Sequence, residues 1–287
     1  MICSRRDFAK IAIGAPLAAA VTPAFGNINS TVDGVMIGSQ TYSFRDLPNL
    51  AARIDAMKKI GLGFAELTVS DIAPRDREQM KAWRANPPVD EIRAVRKKFE
   101  DAGIVIYSYN DSFRDEFTDQ EIDHGFQVAR LFGVKYITAS SNVDVSERVD
   151  RYASQYKIMV GFHNHDSMKK NEFSTPDDWK TAMAGRSKYI GINLDIGHFT
   201  AANFDPVSFI EEHHSHIVTL HIKDRKKNHG PNMPFGEGDT DIKGVLQLLK
   251  KNRYPIPAMI EYEYGKPGLD TVSEVQKCFD YCKAALA

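Results

Sequence analysis

The sequence predicts a (β/α)8 TIM barrel formed by a single domain. Short apolar strand patterns recur at intervals of roughly thirty residues, the length of one strand–helix unit. Helical patterns and glycine turns separate them, which favours parallel strands. The last four strand patterns each end in a side chain of a metal-binding type: His163, Asp195, His221 and Glu261. Because active sites of this barrel lie at the carboxyl ends of its strands, we expect these side chains to converge.

The predicted strands are apolar runs rich in β-branched and aromatic residues. They cover Val35–Tyr42, Phe64–Val69, Ile104–Tyr109, Lys135–Ala139, Ile158–Phe162, Ile190–Asp195, Ile217–Ile222 and Ala258–Glu263. The predicted helices show apolar residues at helical spacing or a recognisable start. They cover Leu47–Ile60, Val89–Ala102, Asp119–Leu131, Ile242–Lys251 and Thr271–Ala285, with two more that begin near Val145 and Ser174. The polar segment Asp71–Pro88 is predicted to be a long loop over the barrel mouth.

The composition is that of a soluble domain without a nucleic-acid signature. Hydrophobic residues make up 43% of the chain, and the formal net charge is -1. Because there is no basic excess, we expect no nucleic-acid partner. Cys3, Cys278 and Cys282 do not form a disulfide framework. The last two are four positions apart in a helical pattern, so we expect them on one face of the last helix.

The N-terminus resembles a twin-arginine export signal. Arg5 and Arg6 are followed by Phe8 and a short apolar stretch rich in alanine. The stretch is too short to span a bilayer comfortably, and it ends in small residues suited to cleavage. We therefore expect residues 1–26 to be removed, the barrel to occupy residues 34–287, and the mature protein to be periplasmic or extracellular without stable membrane association. An uncleaved anchor is the alternative.

The candidate metal ligands each have a competing interpretation. A buried carboxylate at Asp195 needs a compensating cation, although it could instead cap the next helix. Neutral imidazole is a common metal ligand, but His221 could be a core residue and His163 could bind substrate alone. Glu261 and Glu263 share one side of their strand. One is expected to be a ligand and the other a hydrogen-bond acceptor or base. The alternative is that only Glu261 faces inward, while Glu263 already lies in a solvated loop.

Other polar side chains near the strand ends are candidate substrate contacts. They are Glu66, His165, His198, Lys223, Arg225 and Glu263. For Glu66, Lys223 and Arg225, the alternative is an ion pair at the protein surface. Five aromatic residues are candidates to pack on the apolar face of a sugar ring, with ordinary core or loop packing as the alternative. They are Tyr42, Phe44, Trp83, Tyr109 and Phe113.

Several segments together resemble the xylose-isomerase-like TIM-barrel superfamily. They are Gly63–Leu67, Asn193–His198, Leu220–Asp224, Gly236–Asp239 and Ile260–Glu261. The group includes sugar phosphate isomerases and epimerases, ketose 3-epimerases, inosose dehydratase, 3-keto-glycoside lyases and endonuclease IV. Its epimerases hold a metal through Glu, Asp, His and Glu at the ends of strands five to eight. Asp195, His221 and Glu261 match the last three, whereas His163 replaces the first, similar to the His-x-His of inosose dehydratase-like members.

The resemblance implies a metal-dependent isomerase, epimerase or carbon–oxygen lyase that acts on a keto sugar or cyclitol. The implied cofactor is a divalent ion, Mn²⁺ before Mg²⁺, Co²⁺ or Zn²⁺, and the implied base is Glu261 or His163, which would produce an enediolate. Because His163 replaces a glutamate, we expect β-elimination or hydration rather than plain epimerisation. The alternatives are an exported sugar-binding barrel without catalysis and a nuclease similar to endonuclease IV. The expected partner is a small carbohydrate, and a homo-oligomer is left open.

Overall fold

Residues 28–265 and 268–287 are described by a computed structural model of the chain, and the predicted signal at residues 1–26 lies outside them. The barrel is built from eight parallel strands, here numbered β1 to β8. They are Val35–Gln40, Phe64–Thr68, Val105–Asn110, Tyr136–Ala139, Met159–His163, Ile190–Asp195, Ile217–Ile222 and Ala258–Ile260.

The last strand closes the barrel against the first. Ala258 of β8 pairs with Leu220 of β7 on one side and with Ile37 of β1 on the other. On its far side β1 pairs with β2, where Ser39 lies opposite Ala65. This closure confirms the predicted (β/α)8 barrel, and it places the carboxyl ends of all eight strands at one mouth.

The helices surround the barrel and are numbered α1 to α10. They are Leu50–Ile60, Arg77–Ala85, Val89–Asp101, Asp119–Phe132, Ser146–Tyr156, Pro176–Met183, Ile196–Ala201, Pro206–His213, Ile242–Asn252 and Thr271–Leu286. The predicted helix start near Ser174 is confirmed, because Thr175 and Asp178 form a capping box at α6. Cys278 and Cys282 are both buried and free on α10, as expected. Within the described residues, no helix combines the length and apolar character needed to cross a membrane.

The segment Asp71–Pro88 is not one continuous loop, so that prediction was wrong. Helix α2 lies within it, and its N-cap residue Asp76 accepts a side-chain hydrogen bond from the backbone nitrogen of Gln79 at 2.9 Å. Trp83 is buried on the inner face of this helix. Arg84 donates to the Asp111 carboxylate at 3.2 Å. The polar composition hid the helix, because Trp83 and Met80 are its only large apolar residues that pack on the core, and the Arg84–Asp111 ion pair adds to them.

Two predicted strands end earlier than expected. β1 ends at Gln40 and is followed by a 3-10 helix over Thr41–Phe44. β8 ends at Ile260, because the backbone nitrogen of Tyr262 donates to Ser43 Oγ at 3.0 Å instead of to a neighbouring strand. Glu261 and Glu263 therefore lie on the segment just beyond β8, at the barrel mouth, and not within the strand.

The apolar core lies between the barrel and its helices. Every residue of β6 and β7 is buried. Trp179 of α6 donates from Nε1 to the carbonyl oxygen of Phe162 at 2.8 Å, and Phe162 stacks on Phe173 with ring centroids 4.9 Å apart. These contacts attach α6 to the end of β5, which positions the residues that follow His163.

Candidate active site

Four predicted side chains meet at the mouth of the barrel. His163 and Asp195 are the last residues of β5 and β6, His221 is near the end of β7, and Glu261 directly follows β8. One donor atom from each lies within 4.8 Å of the donor atoms of the other three, and all four residues are buried. We call this group the candidate metal centre. The convergence arises because parallel strands of a closed barrel direct their carboxyl ends to one place.

His221 is held between two carboxylates. Its Nδ1 lies 3.1 Å from Glu261 Oε2, and its Nε2 lies 3.0 Å from Glu66 Oε1. Burial lowers the pKa of His221, but the charges of Glu66 and Glu261 more than offset burial, and the pKa is raised well above its ordinary value. These carboxylates therefore favour the protonated imidazole, and a bound cation would have to displace a proton.

Lys223 brings a second positive charge to the same place. Its Nζ lies 2.7 Å from Glu263 Oε2, 3.0 Å from Glu261 Oε2 and 3.1 Å from Asp195 Oδ2. Burial lowers the pKa of Lys223, but these carboxylates raise it above the ordinary value. The lysine is therefore a permanent cation beside the candidate metal centre.

The two carboxylate oxygens of Asp195 have different roles. Oδ1 accepts a hydrogen bond from the backbone nitrogen of His198 at 2.7 Å and so caps helix α7. Oδ2 has no hydrogen-bond partner among the described residues, although the Lys223 ammonium lies near it. The Asn164 side chain binds the backbone nitrogen and oxygen of Asp195 at 2.9 and 3.1 Å. Helix capping and cation binding, weighed as alternatives for Asp195, are therefore compatible.

The surroundings of His163 and His165 favour the neutral form of both imidazoles. Burial is the main cause that lowers the pKa of each histidine. The charge of His221 lowers the pKa of His163 further, and the charge of His198 lowers that of His165 further. Their ring centroids lie 4.9 Å apart. The Nδ1 atom of His163 is buried and has no hydrogen-bond partner in the described part of the chain. Neutral imidazoles without competing partners are suited to bind a cation or to accept a proton.

The remaining predicted contacts divide into two groups. His165, His198, Lys223 and Glu263 line a cavity of about 350 Å³ above the candidate metal centre. Glu66 and Arg225 do not line it. Glu66 is fully buried beneath His221 and also accepts hydrogen bonds from Gln40 and Ser108, so it is not a surface ion pair.

Arg225 turns away from the cavity towards Asp166. Its Nη1 lies 2.6 Å from Asp166 Oδ1, and its Nη2 donates to the carbonyl oxygen of Gly230 at 2.7 Å. Asp166 Oδ1 also lies 3.2 Å from Nδ1 of His198. Sequence reasoning did not select Asp166 or Asn164, although both follow β5 directly, beside the two histidines that it did select.

One of the five aromatic candidates reaches the cavity. Tyr42 lines it and is 36% exposed. The others are buried in the core, namely Phe44, Trp83, Tyr109 and Phe113. The remaining lining residues are polar, as suits a ligand rich in hydroxyl groups. They are Gln40, Thr68, Ser70, Asn110 and Ser140.

The residues of the candidate metal centre fit a divalent cation. Two imidazoles and two carboxylates form a mixed donor set that suits Mn²⁺, Zn²⁺ and related ions. His163 Nδ1 is buried without a hydrogen-bond partner in the described residues, and Asp195 Oδ2 has only the Lys223 ammonium near it, at 3.1 Å. A buried polar atom without a partner is costly, and a bound cation would remove this cost.

The charge balance supports the same conclusion. Four carboxyl groups surround two cationic side chains, Lys223 and His221. The carboxyl groups belong to Glu66, Asp195, Glu261 and Glu263. Because buried charge of one sign requires compensation, a further cation would stabilise the arrangement.

Comparison with known proteins agrees with the fold. A family model described as a xylose isomerase-like TIM barrel matches residues 54–282. L-ribulose-5-phosphate 3-epimerase UlaE of Escherichia coli (strain SMS-3-5 / SECEC) is 36% identical over 267 residues, which cover 82% of this chain and 89% of the relative.

Two solved structures show the same fold. The IolI protein with a bound zinc atom has a TM-score of 0.68 and 15% identity, over 88% of this chain and 98% of that one. The 3-keto-D-glucoside 4-epimerase YcjR of E. coli has a TM-score of 0.66 and 13% identity, over 87% of this chain and 99% of that one. At these identities, the structural matches support the fold alone.

Proposed function

Since this chain belongs to the xylose isomerase-like TIM barrel family, we propose that it is a divalent-metal-dependent enzyme that moves a proton beside the carbonyl group of a keto sugar or cyclitol. The observation that carries the proposal is the convergence of four buried ligand atoms within 4.8 Å of one another. They lie beneath a polar cavity with one exposed aromatic ring, Tyr42, which suits a sugar.

In this proposal His163, Asp195, His221 and Glu261 hold the metal, with Mn²⁺ favoured over Mg²⁺, Co²⁺ and Zn²⁺. A divalent ion bound there would supply Lewis-acid polarisation of the substrate carbonyl group. Lys223 lies beside the same carboxylates and would donate a hydrogen bond to a substrate oxygen that becomes negative during reaction.

The base is one of the two neutral histidines. Burial of Glu261 raises its pKa, but Lys223 and His221 more than offset this and hold the pKa well below its ordinary value, so its carboxylate is a weak base. His165 lines the cavity and is only partly buried, so its ring is accessible to a substrate. We assign proton abstraction to His165 and cation binding to His163, and the product of abstraction is an enediolate.

The outcome favoured by this site is β-elimination or hydration. A symmetrical epimerase needs a carboxylate on each face of the substrate, and His163 stands where the family resemblance implies one of them. With His163 on the metal, His165 takes the α proton and can pass that same proton to an oxygen that leaves from the β carbon. Isomerisation or epimerisation is the second candidate, favoured by the identity to UlaE.

Solvent exchange tests the proposal. Ketoses, inososes and 3-keto-glycosides are incubated with the Mn²⁺-loaded protein in D₂O, and products are read by NMR and mass spectrometry. We expect deuterium at the carbon beside the carbonyl group and an unsaturated or hydrated keto sugar. His163→Gln should lose metal, whereas His165→Gln should retain metal and lose exchange.

Two results would count against parts of the proposal. Clean 3-epimerisation, raised in rate by His163→Glu, would replace elimination with epimerisation. Sugar binding without deuterium exchange across the panel would leave an exported sugar-binding barrel as the better description. We also propose that the substrate is met outside the cytoplasm, because the N-terminal sequence resembles a twin-arginine signal.

A further inference from the structure

A second cavity adjoins the one above the candidate metal centre. Its volume is about 370 Å³, and it shares Ser140 and His165 with the first cavity. The segment that follows β5 supplies much of its wall, including Asp166, Lys169 and Glu172. A substrate ring seated in the first cavity would therefore meet open space directly beyond His165.

The wall of the second cavity is built by hydrogen bonds between two segments. Asn142 and Glu172 form an antiparallel bridge, and the carbonyl oxygen of Asn171 accepts from the backbone nitrogen of Val143 at 3.1 Å. Met168 and Asn171 adopt left-handed backbone angles, with φ of 51° and 64°. Such angles are costly outside glycine and persist where surrounding contacts hold them. The cavity is thus formed before any ligand binds, which reduces the entropy lost on binding.

One buried hydroxyl faces this cavity without a partner. Ser141 lines it and is 5% exposed, and its Oγ makes no hydrogen bond to the described residues. A buried hydroxyl is usually satisfied by protein, water or ligand. Ser141 therefore indicates a polar occupant.

The second cavity carries side chains of both signs, which suits an uncharged polar occupant. Arg114 and Lys169 lie in the same wall as Asp166 and Glu172, and Asp166 is already paired with Arg225 at 2.6 Å. A phosphate group would be repelled by the Glu172 carboxylate, which is bonded only to the Ser167 hydroxyl among the described residues. Sugar hydroxyl groups, in contrast, can donate to carboxylates and accept from the ammonium and guanidinium groups.

We propose that the second cavity binds an uncharged sugar ring of a glycoside, while the other ring of the glycoside carries the carbonyl group into the first cavity. This rests on the proposed function, which takes the first cavity as the place where the carbonyl-bearing ring reacts. A hydroxyl group of the uncharged ring would donate to Glu172, and another would bind Ser141 Oγ. The substrate class is therefore a two-ring glycoside and not a single phosphorylated sugar.

Calorimetric titration of the full chain tests this, with and without Mn²⁺. The probes are maltose, cellobiose and trehalose, against D-glucose and D-glucose 6-phosphate. We expect at least one disaccharide to bind about tenfold more tightly than glucose, the effect of one or two added hydrogen bonds. Glucose 6-phosphate should bind no more tightly than glucose.

A matched pair of variants locates the effect. Lys169 lines the second cavity and Lys170 does not, and both are exposed neighbours on the same segment. Lys169→Trp should fill the cavity and reduce the disaccharide advantage to about twofold or less, while Lys170→Trp should keep the tenfold advantage. Ser141→Ala should reduce it by an intermediate factor.

Three results would overturn the inference: equal affinity for glucose and all three disaccharides, tightest binding of glucose 6-phosphate, or an unchanged disaccharide advantage in Lys169→Trp. Failure of the proposed function would give a different result. The protein would then retain no Mn²⁺ and would catalyse no deuterium exchange. Binding heats do not depend on turnover. A disaccharide preference that Lys169→Trp removes would support the second subsite even if no exchange occurs.

Discussion

Nε2 of His221 lies 3.0 Å from Oε1 of Glu66, although 155 positions separate the two residues. Their strands, β7 and β2, are separated around the barrel by β8 and β1, so the contact reaches across the barrel interior. A carboxylate behind a histidine ligand orients the ring and raises its basicity. Glu66 therefore acts on the candidate metal centre through His221.

Glu66→Gln should weaken metal binding without unfolding the barrel. The amide keeps the shape of the side chain but removes the charge beside His221, and loss of such a partner costs about 10- to 100-fold in metal affinity. Competition with a chelating dye at pH 8 measures the change. Glu274→Gln is the control, because Glu274 is also buried but bonds Tyr264 away from the mouth. Equal metal affinity in both variants would contradict the role given to Glu66.

Asp195→Asn and Asp195→Ala should separate the two roles of this residue. Asn keeps an oxygen that can cap α7 but loses the charge, so metal retention should fall while the melting temperature of the metal-free protein changes little. Ala loses both the charge and the cap. It should lower the free energy of unfolding by about 1 kcal/mol more than Asn does, as expected for a lost helix cap. Asp205→Ala, which removes the cap of α8, should cost a similar amount and keep the metal. Elemental analysis and thermal unfolding measure these outcomes, and full metal content in Asp195→Asn would refute the site.

Asp166→Asn should alter the acid dependence of stability. Hydrogen bonding to His198, followed by that to Arg225, lowers the pKa of Asp166 below its ordinary 3.8. A lowered folded-state pKa stabilises the protein above pH 3.8 and loses this effect as the pH falls towards the folded value. We expect the variant to be about 1 to 2 kcal/mol less stable at pH 7, with the gap narrowing below about pH 4. Urea titrations across this range measure it, and a gap that stays constant with pH would contradict the assignment.

Cys278 and Cys282 should resist thiol reagents in the folded protein. Burial raises the pKa of Cys278 to about 12, and burial raises that of Cys282 further. Because the thiolate is the reactive form, labelling by iodoacetamide at pH 8 should be slow until the protein unfolds. Peptide mass spectrometry distinguishes these sites from Cys3. Rapid native labelling of either residue would show that α10 opens readily.

Replacement of both Arg5 and Arg6 by lysine should retain the precursor in the cytoplasm. Paired arginines are the element of the N-terminal sequence that resembles a twin-arginine signal. Cell fractionation and immunoblotting measure precursor and mature forms. The double variant Lys58→Arg with Lys59→Arg is the control. It also exchanges two neighbouring basic residues, but on α1 and outside the signal, so its export should be normal. Normal periplasmic levels of the double lysine variant would remove the export proposal.

The barrel and its four candidate ligands could be predicted because both depend on local patterns. The strand period is visible in the sequence, and parallel strands bring their carboxyl ends together whatever the loops do. His163, Asp195, His221 and Glu261 needed no knowledge of side-chain direction beyond this rule. The start of α6 was likewise visible in a local capping pattern.

The rest of the site depends on contacts that no local pattern encodes. Glu66 meets His221 only after the barrel closes, so its place beneath the site could not be predicted from either strand alone. Arg225 follows β7 as expected, yet its ion pair with Asp166 directs it away from the cavity. Tyr42 reaches the cavity because the short turn after β1 rotates the chain, whereas Phe44, two residues later, is buried by the same turn.

The two oxygens of the Asp195 carboxylate have different roles, since one caps α7 and the other faces the candidate metal centre. Substitution is therefore more restricted at Asp195 than at His163. One of the Asp195 oxygens starts α7, so a histidine there would lose the helix start, and the longer side chain of glutamate would move the oxygen away from it. His163 has no such second role, because its Nδ1 makes no hydrogen bond within the described part of the chain. Over evolutionary time, we expect new chemistry in barrels of this kind to arise by exchange at the fifth strand, while the sixth strand keeps its aspartate.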